Sequence, residues 1–247
     1  MRAMIALSIF FPLFVFACSG EKVAGPELQP IEAATVGVKS MTIYPSLFSS
    51  QILSAQDFEY AGEGRLIKKT YWAGDREKII HYELFSYGES AGPAYKLGYH
   101  ANANSPAGFM LLDSTAYRHD GKFLISETTY YPCADYNERY AYRYHGNLLA
   151  GKTRYHNDGL ESYTVYEYRD GRLHREVDYS KDSSMIESRE YGYEGETPVT
   201  LTYYSFASEA KRRVSYAYNE AGKLVLEKVD ELSPYSSSLP HVIRYSY

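Results

Sequence analysis

The eight residues from Tyr166 to Leu173, with the sequence Tyr-Glu-Tyr-Arg-Asp-Gly-Arg-Leu, constrain the fold more than any other stretch of the chain. Tyr166 and Tyr168 are two residues apart, so in a β-strand both rings would lie on one face of the sheet. Asp170 and Gly171 follow at once, and this pair favours a two-residue turn because such a turn needs positive φ. The stretch therefore predicts a β-hairpin.

The alternation after the turn predicts which side chains share a face. Leu173, Val177 and Tyr179 have the same parity, so we expect an inner face of aromatic and aliphatic side chains. The residues between them are expected on a charged outer face: Arg172, His174, Glu176 and Asp178.

The aromatic pair recurs across residues 58–247, which indicates a repeat architecture. Taking the second aromatic of each pair as its anchor, the anchors are Tyr60, Tyr87, Tyr117, Tyr144, Tyr168, Tyr193, Tyr218 and Tyr245. The intervals between them are 27, 30, 27, 24, 25, 25 and 27 residues. Two residues before each anchor stands a large apolar or aromatic residue, except at Thr115.

The units at 58–66, 166–173 and 216–224 resemble the YD repeats of the Rhs and teneurin type, in which Tyr-x-Tyr-Asp is followed by Gly-Arg-Leu. The resemblance covers about residues 58–247 and implies a sheet of repeated hairpins. Arg169, Glu194 or Asn219 stands where those repeats have aspartate, and the period is longer. The chain is also too short for the closed shell of the large Rhs proteins, so a short repeat-containing lipoprotein of Gram-negative bacteria is the nearer comparison.

Two strands per repeat predict an all-β fold of about 14 to 16 antiparallel strands with almost no helix. One aromatic face cannot remain in water, so we expect a strongly twisted meander of β-hairpins that curls into an open barrel or spiral. Residues 41–247 would form this single domain. The last strand, from Val242 to Tyr247, is expected to be a capping half-repeat.

The N-terminal residues 1–17 are typical of a signal peptide, with Arg2 followed by an apolar run too short to cross a bilayer. Val15-Phe16-Ala17-Cys18 resembles the bacterial lipobox, which implies cleavage before Cys18 and its acylation. The alternative is an ordinary secretory signal cut after Ala17. Ser19, in place of the aspartate that marks inner-membrane retention, favours an outer membrane lipoprotein whose tether spans residues 18–40.

Charge and cysteine content limit the possible partners. The formal net charge is −5, and no basic stripe is present, which argues against nucleic acid. If Cys18 is acylated, Cys133 has no intramolecular partner and is expected to be buried and inert. The charged outer parity, represented by Arg172, Glu176, Lys223 and Glu227, also argues against strands that span a membrane.

The longest break in the repeat, residues 88–113, is the best candidate for a partner site, because long loops often carry function. Tyr95, Tyr99 and Phe109 are its candidate binding residues. The alternative is a decorated repeat whose apolar end returns to the core.

The 28 tyrosines have two interpretations, a structural core or a platform for sugar rings. Their regular placement favours the core, represented by Tyr60, Tyr87, Tyr144, Tyr168, Tyr193 and Tyr218. No His pair has metal-ligand spacing and no nucleophile motif is present, so we expect no cofactor, no metal and no catalysis. The sequence thus favours a non-catalytic, lipid-anchored envelope protein that serves as a scaffold or binding surface for an envelope protein or glycan. The alternatives are a carbohydrate-binding module that uses exposed tyrosines and a hydrolase that uses carboxylates.

Overall fold

The computed structural model describes residues 37–88, 92–105, 107–233 and 240–247, which form sixteen antiparallel β-strands. The strands are β1 (Ser40–Tyr44), β2 (Ser54–Tyr60), β3 (Leu66–Ala73), β4 (Lys78–Tyr87), β5 (Pro93–Ala101), β6 (Phe109–Asp120), β7 (Phe123–Tyr131), β8 (Tyr136–His145), β9 (Leu148–His156), β10 (Gly159–Arg169), β11 (Arg172–Ser180), β12 (Met185–Glu194), β13 (Thr197–Ser205), β14 (Ala210–Tyr218), β15 (Leu224–Glu231) and β16 (His241–Ser246). Within the described ranges the helical content is one 3₁₀ turn, Gly62–Gly64. The prediction of an all-β antiparallel meander is confirmed.

The barrel is closed, so the prediction of an open barrel or spiral is wrong. Each strand pairs with its neighbours in sequence, and β1 pairs with β16 through Met41 opposite Tyr245 and Ile43 opposite Ile243. The last strand therefore completes the ring instead of capping an edge. Closure gives partners to the backbone groups that an open edge would leave unpaired.

A β-bulge follows the turn of every hairpin that ends in an anchor, and it changes which residues share a face. In the β10–β11 hairpin Tyr168 pairs with Leu173 and Glu167 with Arg175, so one residue of β11 is left over between them. Tyr166 then pairs with Glu176. The face prediction is correct for Leu173 but wrong beyond it: Glu176 and Asp178 share the face of the paired tyrosines, whereas Val177 and Tyr179 lie on the other face.

The face that carries the paired aromatics lines the inside of the barrel. Burial raises the pKa of Tyr117 to about 12, and Glu83, two strands away on β4, adds to this rise. Burial likewise raises the pKa of Tyr216 on β14, with a contribution from Glu176 on β11. Side chains on strands that are not neighbours approach one another on the concave face of a curved sheet. Large side chains such as Tyr95 and Tyr130 lie exposed on the opposite face.

The strand register moves two of the predicted anchors by two residues. In β6 the bulge residue that pairs with Leu124 is His119, not Tyr117. At the end of the chain the anchor is Tyr247, the residue after β16, because its hydroxyl makes the anchor hydrogen bond. With this correction Thr115 is no longer an exception, and every partner position is aromatic: Phe58, Phe85, Tyr117, Tyr142, Tyr166, Tyr191, Tyr216 and Tyr245.

The anchor tyrosines tie each hairpin to the next through their hydroxyl groups. The Tyr193 hydroxyl donates to the Leu173 carbonyl at 2.7 Å, and Leu173 is the residue that pairs with Tyr168 at the preceding bulge. The same bond recurs around the barrel from Tyr60 to Val38, Tyr87 to Leu66, Tyr144 to Leu124, Tyr168 to Leu149, Tyr218 to Pro198 and Tyr247 to Leu224, at 2.7 to 3.1 Å. A carbonyl at a bulge lacks a regular ladder partner, and the tyrosine supplies one.

The predicted insertion at 88–113 is an ordinary part of the barrel. It contains the whole of β5 and the start of β6, joined through residues 102–108. Gly98 of β5 faces Asp113 of β6 on the inner wall. A Cβ atom at Gly98 would lie 2.5 Å from Asp113 Oδ2, so any side chain there would force the Asp113 carboxylate to move.

Candidate binding sites on the two faces of the barrel

Tyr95, Tyr99 and Phe109, the predicted loop residues, lie on strands and belong to an aromatic surface on the outside of the barrel. Tyr82 and Tyr99 are cross-strand partners whose rings stack with centroids 4.8 Å apart. Phe109 meets the Tyr82 ring edge-on at 5.0 Å. Tyr95, four residues before Tyr99 on the same face of β5, is 59% exposed. The structure therefore brings Tyr99 and Phe109 together around Tyr82 and leaves Tyr95 further along the same face, available to a partner.

The surface extends over four neighbouring strands, β4 to β7. Leu84 pairs with Leu97, and Ser114 of β6 pairs with Tyr130 of β7. We call this surface the outer aromatic patch and define it by Tyr82, Leu84, Tyr95, Tyr99, Phe109, Leu111 and Tyr130; the more exposed of these are Tyr95, Tyr130, Leu84 and Leu111. Sequence reasoning missed Tyr82 and Leu84, although they alternate with His81, Glu83 and Phe85 and so already stood on one face.

The inner wall behind the patch carries a buried ionic cluster on β3 to β6. Glu83 accepts hydrogen bonds from Tyr71 and from Lys96, each at 3.0 Å, and Lys96 Nζ lies 3.3 Å from Asp113 Oδ1. Burial lowers the pKa of Lys69, whose ammonium lies 4.8 Å from the centre of the Tyr71 ring. The carboxylates here are thus held by cations and a hydroxyl, which fixes the wall.

Glutamates on β7, β11 and β15 accept hydrogen bonds from the inner row of tyrosines in the same way. The Tyr142 hydroxyl donates to Glu127 at 2.8 Å, and the Tyr191 hydroxyl donates to Glu176 at 2.6 Å. The Tyr245 hydroxyl donates to Glu227. Burial raises the pKa of Tyr142, Tyr191 and Tyr245, and the neighbouring carboxylates add to the rise. The inner wall is therefore a tyrosine–glutamate network with an apolar section at Leu201, Val214 and Val229.

The six tyrosines predicted as core lie on the inner face near the hairpin turns and are half-buried: Tyr60, Tyr87, Tyr144, Tyr168, Tyr193 and Tyr218. Their hydroxyls are used by backbone carbonyls, as described above. The fully buried side chains are smaller, such as Leu224, Val177 and Ser188. A sugar platform would therefore have to use other tyrosines.

Two predictions about outward charge and the free thiol need correction. Glu176 and Glu227 face the inner wall, because each pairs with an inner tyrosine across a bulged hairpin. The outer face does carry charged side chains, but they belong to other residues: Glu167, Arg175 and Glu190, which pair with one another across β10, β11 and β12. Cys133, expected to be buried, is exposed in the turn between β7 and β8.

Other predicted features lie outside the described residues or give no site. The signal peptide, Cys18 and most of the tether precede residue 37, where the description begins. Among the described residues, no three His, Cys, Asp or Glu side chains are arranged to hold a metal ion. No helix in the described part of the chain is long and apolar enough to cross a membrane.

Comparison with known proteins shows a similar fold but does not show a family. No protein-family model matches the chain, and no curated protein sequence matches it. A porin-like protein from Bacteroides uniformis has a similar structure, with a TM-score of 0.56 and 12% identity over 85% of this chain and 97% of that one. A porin-like protein from Bacteroides vulgatus aligns over 85% of this chain and 98% of its own at 13% identity, with a TM-score of 0.40. The first similarity shows a shared barrel architecture.

Proposed function

We propose that this protein is a non-catalytic, lipid-anchored protein of the cell envelope whose barrel holds a binding surface for an envelope partner. The observation that carries the proposal is the outer aromatic patch. Tyr95 on β5 is 59% exposed and Tyr130 on β7 is 45% exposed, with only β6 between the two strands. Large apolar side chains grouped in this way mark interaction sites more often than scattered ones do. Aromatic side chains are also the residues that contribute most to binding at interfaces.

The non-catalytic part of the proposal is supported by the state of two inner carboxylates, Glu83 and Glu176. A hydrolase of the glycosidase type needs one carboxyl group that can donate a proton and one that remains available as base or nucleophile. Glu83 and Glu176 are each engaged by a cation and by a tyrosine hydroxyl. We therefore expect no turnover of glycan, ester or peptide substrates. Activity that disappears when one inner carboxylate is replaced, while the circular dichroism spectrum is unchanged, would contradict this.

The anchoring part rests on Cys18 and on the charged outer face. Glu167, Arg175 and Glu190 lie in register across three strands of the outer wall, where contact with lipid would be costly. A lipid anchor at Cys18 would instead hold the barrel beside the bilayer, since two or more acyl chains give stable attachment. Cys18→Ser should release the protein from the membrane fraction or block its maturation. Wild-type protein that is soluble, with no acyl mass on its N-terminal peptide, would contradict the anchor.

The binding surface is tested by a pair of matched substitutions on the outer face. Tyr95→Ala removes an exposed ring of the patch, whereas Tyr204→Ala removes an outward ring on β13, at a distance from the patch. Cross-linked envelopes should yield a partner that co-purifies with wild-type protein and with Tyr204→Ala but not with Tyr95→Ala. Equal recovery of the partner with all three proteins would show that its binding site lies outside the outer aromatic patch.

The second candidate is a carbohydrate-binding module, favoured by the stacked pair of Tyr82 and Tyr99. Rings presented on the outer face of a sheet can pack against the apolar face of a sugar. A glycan array would separate the candidates, because a carbohydrate module should bind a glycan and lose it on Tyr99→Ala. A protein-binding patch should give no glycan signal but should lose its partner on Tyr95→Ala.

A further inference from the structure

A second site lies on the inner wall, away from the outer aromatic patch. A cavity of about 260 Å³ opens on this wall between β8 and β12. Its size is close to the lower limit of ordinary ligand pockets, about 300 Å³. Among the side chains that line it are Tyr140, Lys152, Arg154, Ser162, Tyr166 and Arg189. The cavity thus combines three cations and the Asp178 carboxylate with hydroxyl groups and aromatic rings.

Two of the three cations are neutralised by the protein itself. Arg154 lies 2.6 Å from Glu138 and 3.2 Å from Glu161. Arg189 lies 2.9 Å from Glu176 and is also ion-paired with Asp178. These guanidinium groups are therefore part of the wall.

Lys152 is the cation that remains. Its ammonium lies 4.1 Å from the centre of the Tyr140 ring and 5.7 Å from that of Tyr142. No carboxylate of the described residues lies within ion-pair distance of it, although ion pairs surround the cavity on both sides. A half-buried ammonium with aromatic neighbours and no counter-charge is a natural site for an anionic group.

The hydroxyl groups around Lys152 are suited to a polyol. Ser162 and Tyr166 line the cavity, and their hydroxyls make no hydrogen bond to another described group. Thr164, the cross-strand partner of Lys152, donates its hydroxyl to Asp178, which orients its oxygen. Aromatic rings with free hydroxyls and one charge match a sugar ring that carries one acid group.

We propose that this cavity binds a small molecule with one carboxylate and several hydroxyls, an acidic monosaccharide. The carboxylate pairs with Lys152, and the ring hydroxyls bond to Ser162 and Tyr166. One charge is specified because Arg154 and Arg189 are each already bound by two carboxylates, so a dianion would find a single free counter-charge, that of Lys152. The site is independent of the outer aromatic patch.

The test is calorimetric titration of the purified full-length protein with D-glucuronate, and with D-glucose as the neutral counterpart. Glucuronate should bind at least about tenfold more tightly than glucose, because a hydrogen bond to a charged group is worth about 1.5–3 kcal/mol. Lys152→Gln should reduce glucuronate affinity to the level of glucose, while Lys152→Arg should keep the preference. Lys68→Gln removes the same charge from the outer face, where Lys68 pairs with Glu59, and should leave binding unchanged.

Three results would overturn the proposal. Absence of glucuronate binding to wild-type protein would show that the cavity does not take this class of ligand. Binding that Lys152→Gln leaves unchanged would place the ligand elsewhere. Binding of inorganic phosphate in preference to glucuronate would show that the ligand is a dianion. Circular dichroism melts of each variant exclude loss of the fold as the cause.

Discussion

Two inner glutamates, Glu83 and Glu227, should respond in opposite directions to the same substitution. Both accept a hydrogen bond from a tyrosine hydroxyl, Glu83 from Tyr71 and Glu227 from Tyr245. Glu83 also has Lys96 at 3.0 Å. Glu227 has no lysine or arginine within ion-pair distance among the described residues. Glutamine keeps the shape and the acceptor oxygen, so replacing each glutamate isolates the effect of its charge.

For Glu83 the expected result is a loss of stability at neutral pH. Burial by itself raises the pKa of this carboxyl, but Lys96 and Lys69 outweigh burial and the pKa is lowered overall. A carboxyl with a lowered folded-state pKa stabilises the fold above its unfolded pKa of about 4.3 and ceases to do so as the pH falls through the folded value. Glu83→Gln should therefore cost about 1–3 kcal/mol at about pH 8, and this cost should diminish as the pH falls below about 4. Lys96 retains Asp113, which limits the loss.

For Glu227 the expected result is a gain. Burial raises the pKa of Glu227, and the Tyr245 hydroxyl only partly offsets this. A carboxyl with a raised folded-state pKa carries no penalty below its unfolded pKa and destabilises the fold as the pH rises through the folded value. Glu227→Gln should therefore raise the free energy of unfolding by about 1 kcal/mol at about pH 8 and leave it unchanged at about pH 4, since one unit of pKa corresponds to about 1.4 kcal/mol.

Urea unfolding, followed by circular dichroism at about pH 4 and about pH 8, measures both effects. The difference between the two variants should be largest at the higher pH and should shrink in acid. If both substitutions destabilise by the same amount at both pH values, the glutamates act through shape and hydrogen bonding alone. The assignment of opposite charge environments would then be wrong.

Two further substitutions test the hairpin connections. Tyr193→Phe removes the hydroxyl that bonds to the Leu173 carbonyl and should lower the free energy of unfolding by about 1 kcal/mol. Tyr193→Ala should lower it by roughly 2 kcal/mol, because the ring that it removes is half-buried. Equal stability of wild type and Tyr193→Phe in urea would refute the role of the hydroxyl. Gly171→Val places a β-branched residue at φ 77° and should lower the thermal midpoint clearly, whereas the neighbouring exposed Arg172→Val should have a small effect.

The turns and the number of strands could be predicted from sequence because their signals are local. Asp170 and Gly171 both adopt positive φ, as their residue types favour. The anchors at Tyr117 and Tyr245 were misplaced for a physical reason. A shift of two residues keeps every side chain on the same face, so alternation alone cannot detect it.

The faces beyond each turn could not be predicted because a bulge reverses the alternation without a distinctive residue. Leu173 and Val177 have the same parity in sequence, yet they lie on opposite walls. The cavity could not be predicted from sequence either. Lys152 lacks a carboxylate partner among the described residues because the carboxylates of the neighbouring strands pair with Arg154 and Arg189 instead, and the sequence does not show which cation each carboxylate reaches. Tyr95 and Tyr99 were found because they alternate within one strand.

Closure of the barrel between β1 and β16 underlies both proposed sites, and a disulfide cross-link tests it directly. Ser40 and Ser246 are paired across this seam, and the Cα atoms of such partners lie about 4.5–5.5 Å apart, within the range that a disulfide spans. In a protein whose two native cysteines are replaced by serine, Ser40→Cys with Ser246→Cys should oxidise to an intramolecular disulfide that changes migration on a non-reducing gel. Ser40→Cys with Ser215→Cys should not, because the two positions are three strands apart and Ser215 is in register with Tyr44 rather than with Ser40, which puts them more than about 14 Å apart. Oxidation of the seam pair at no greater rate than this control would contradict the closed barrel.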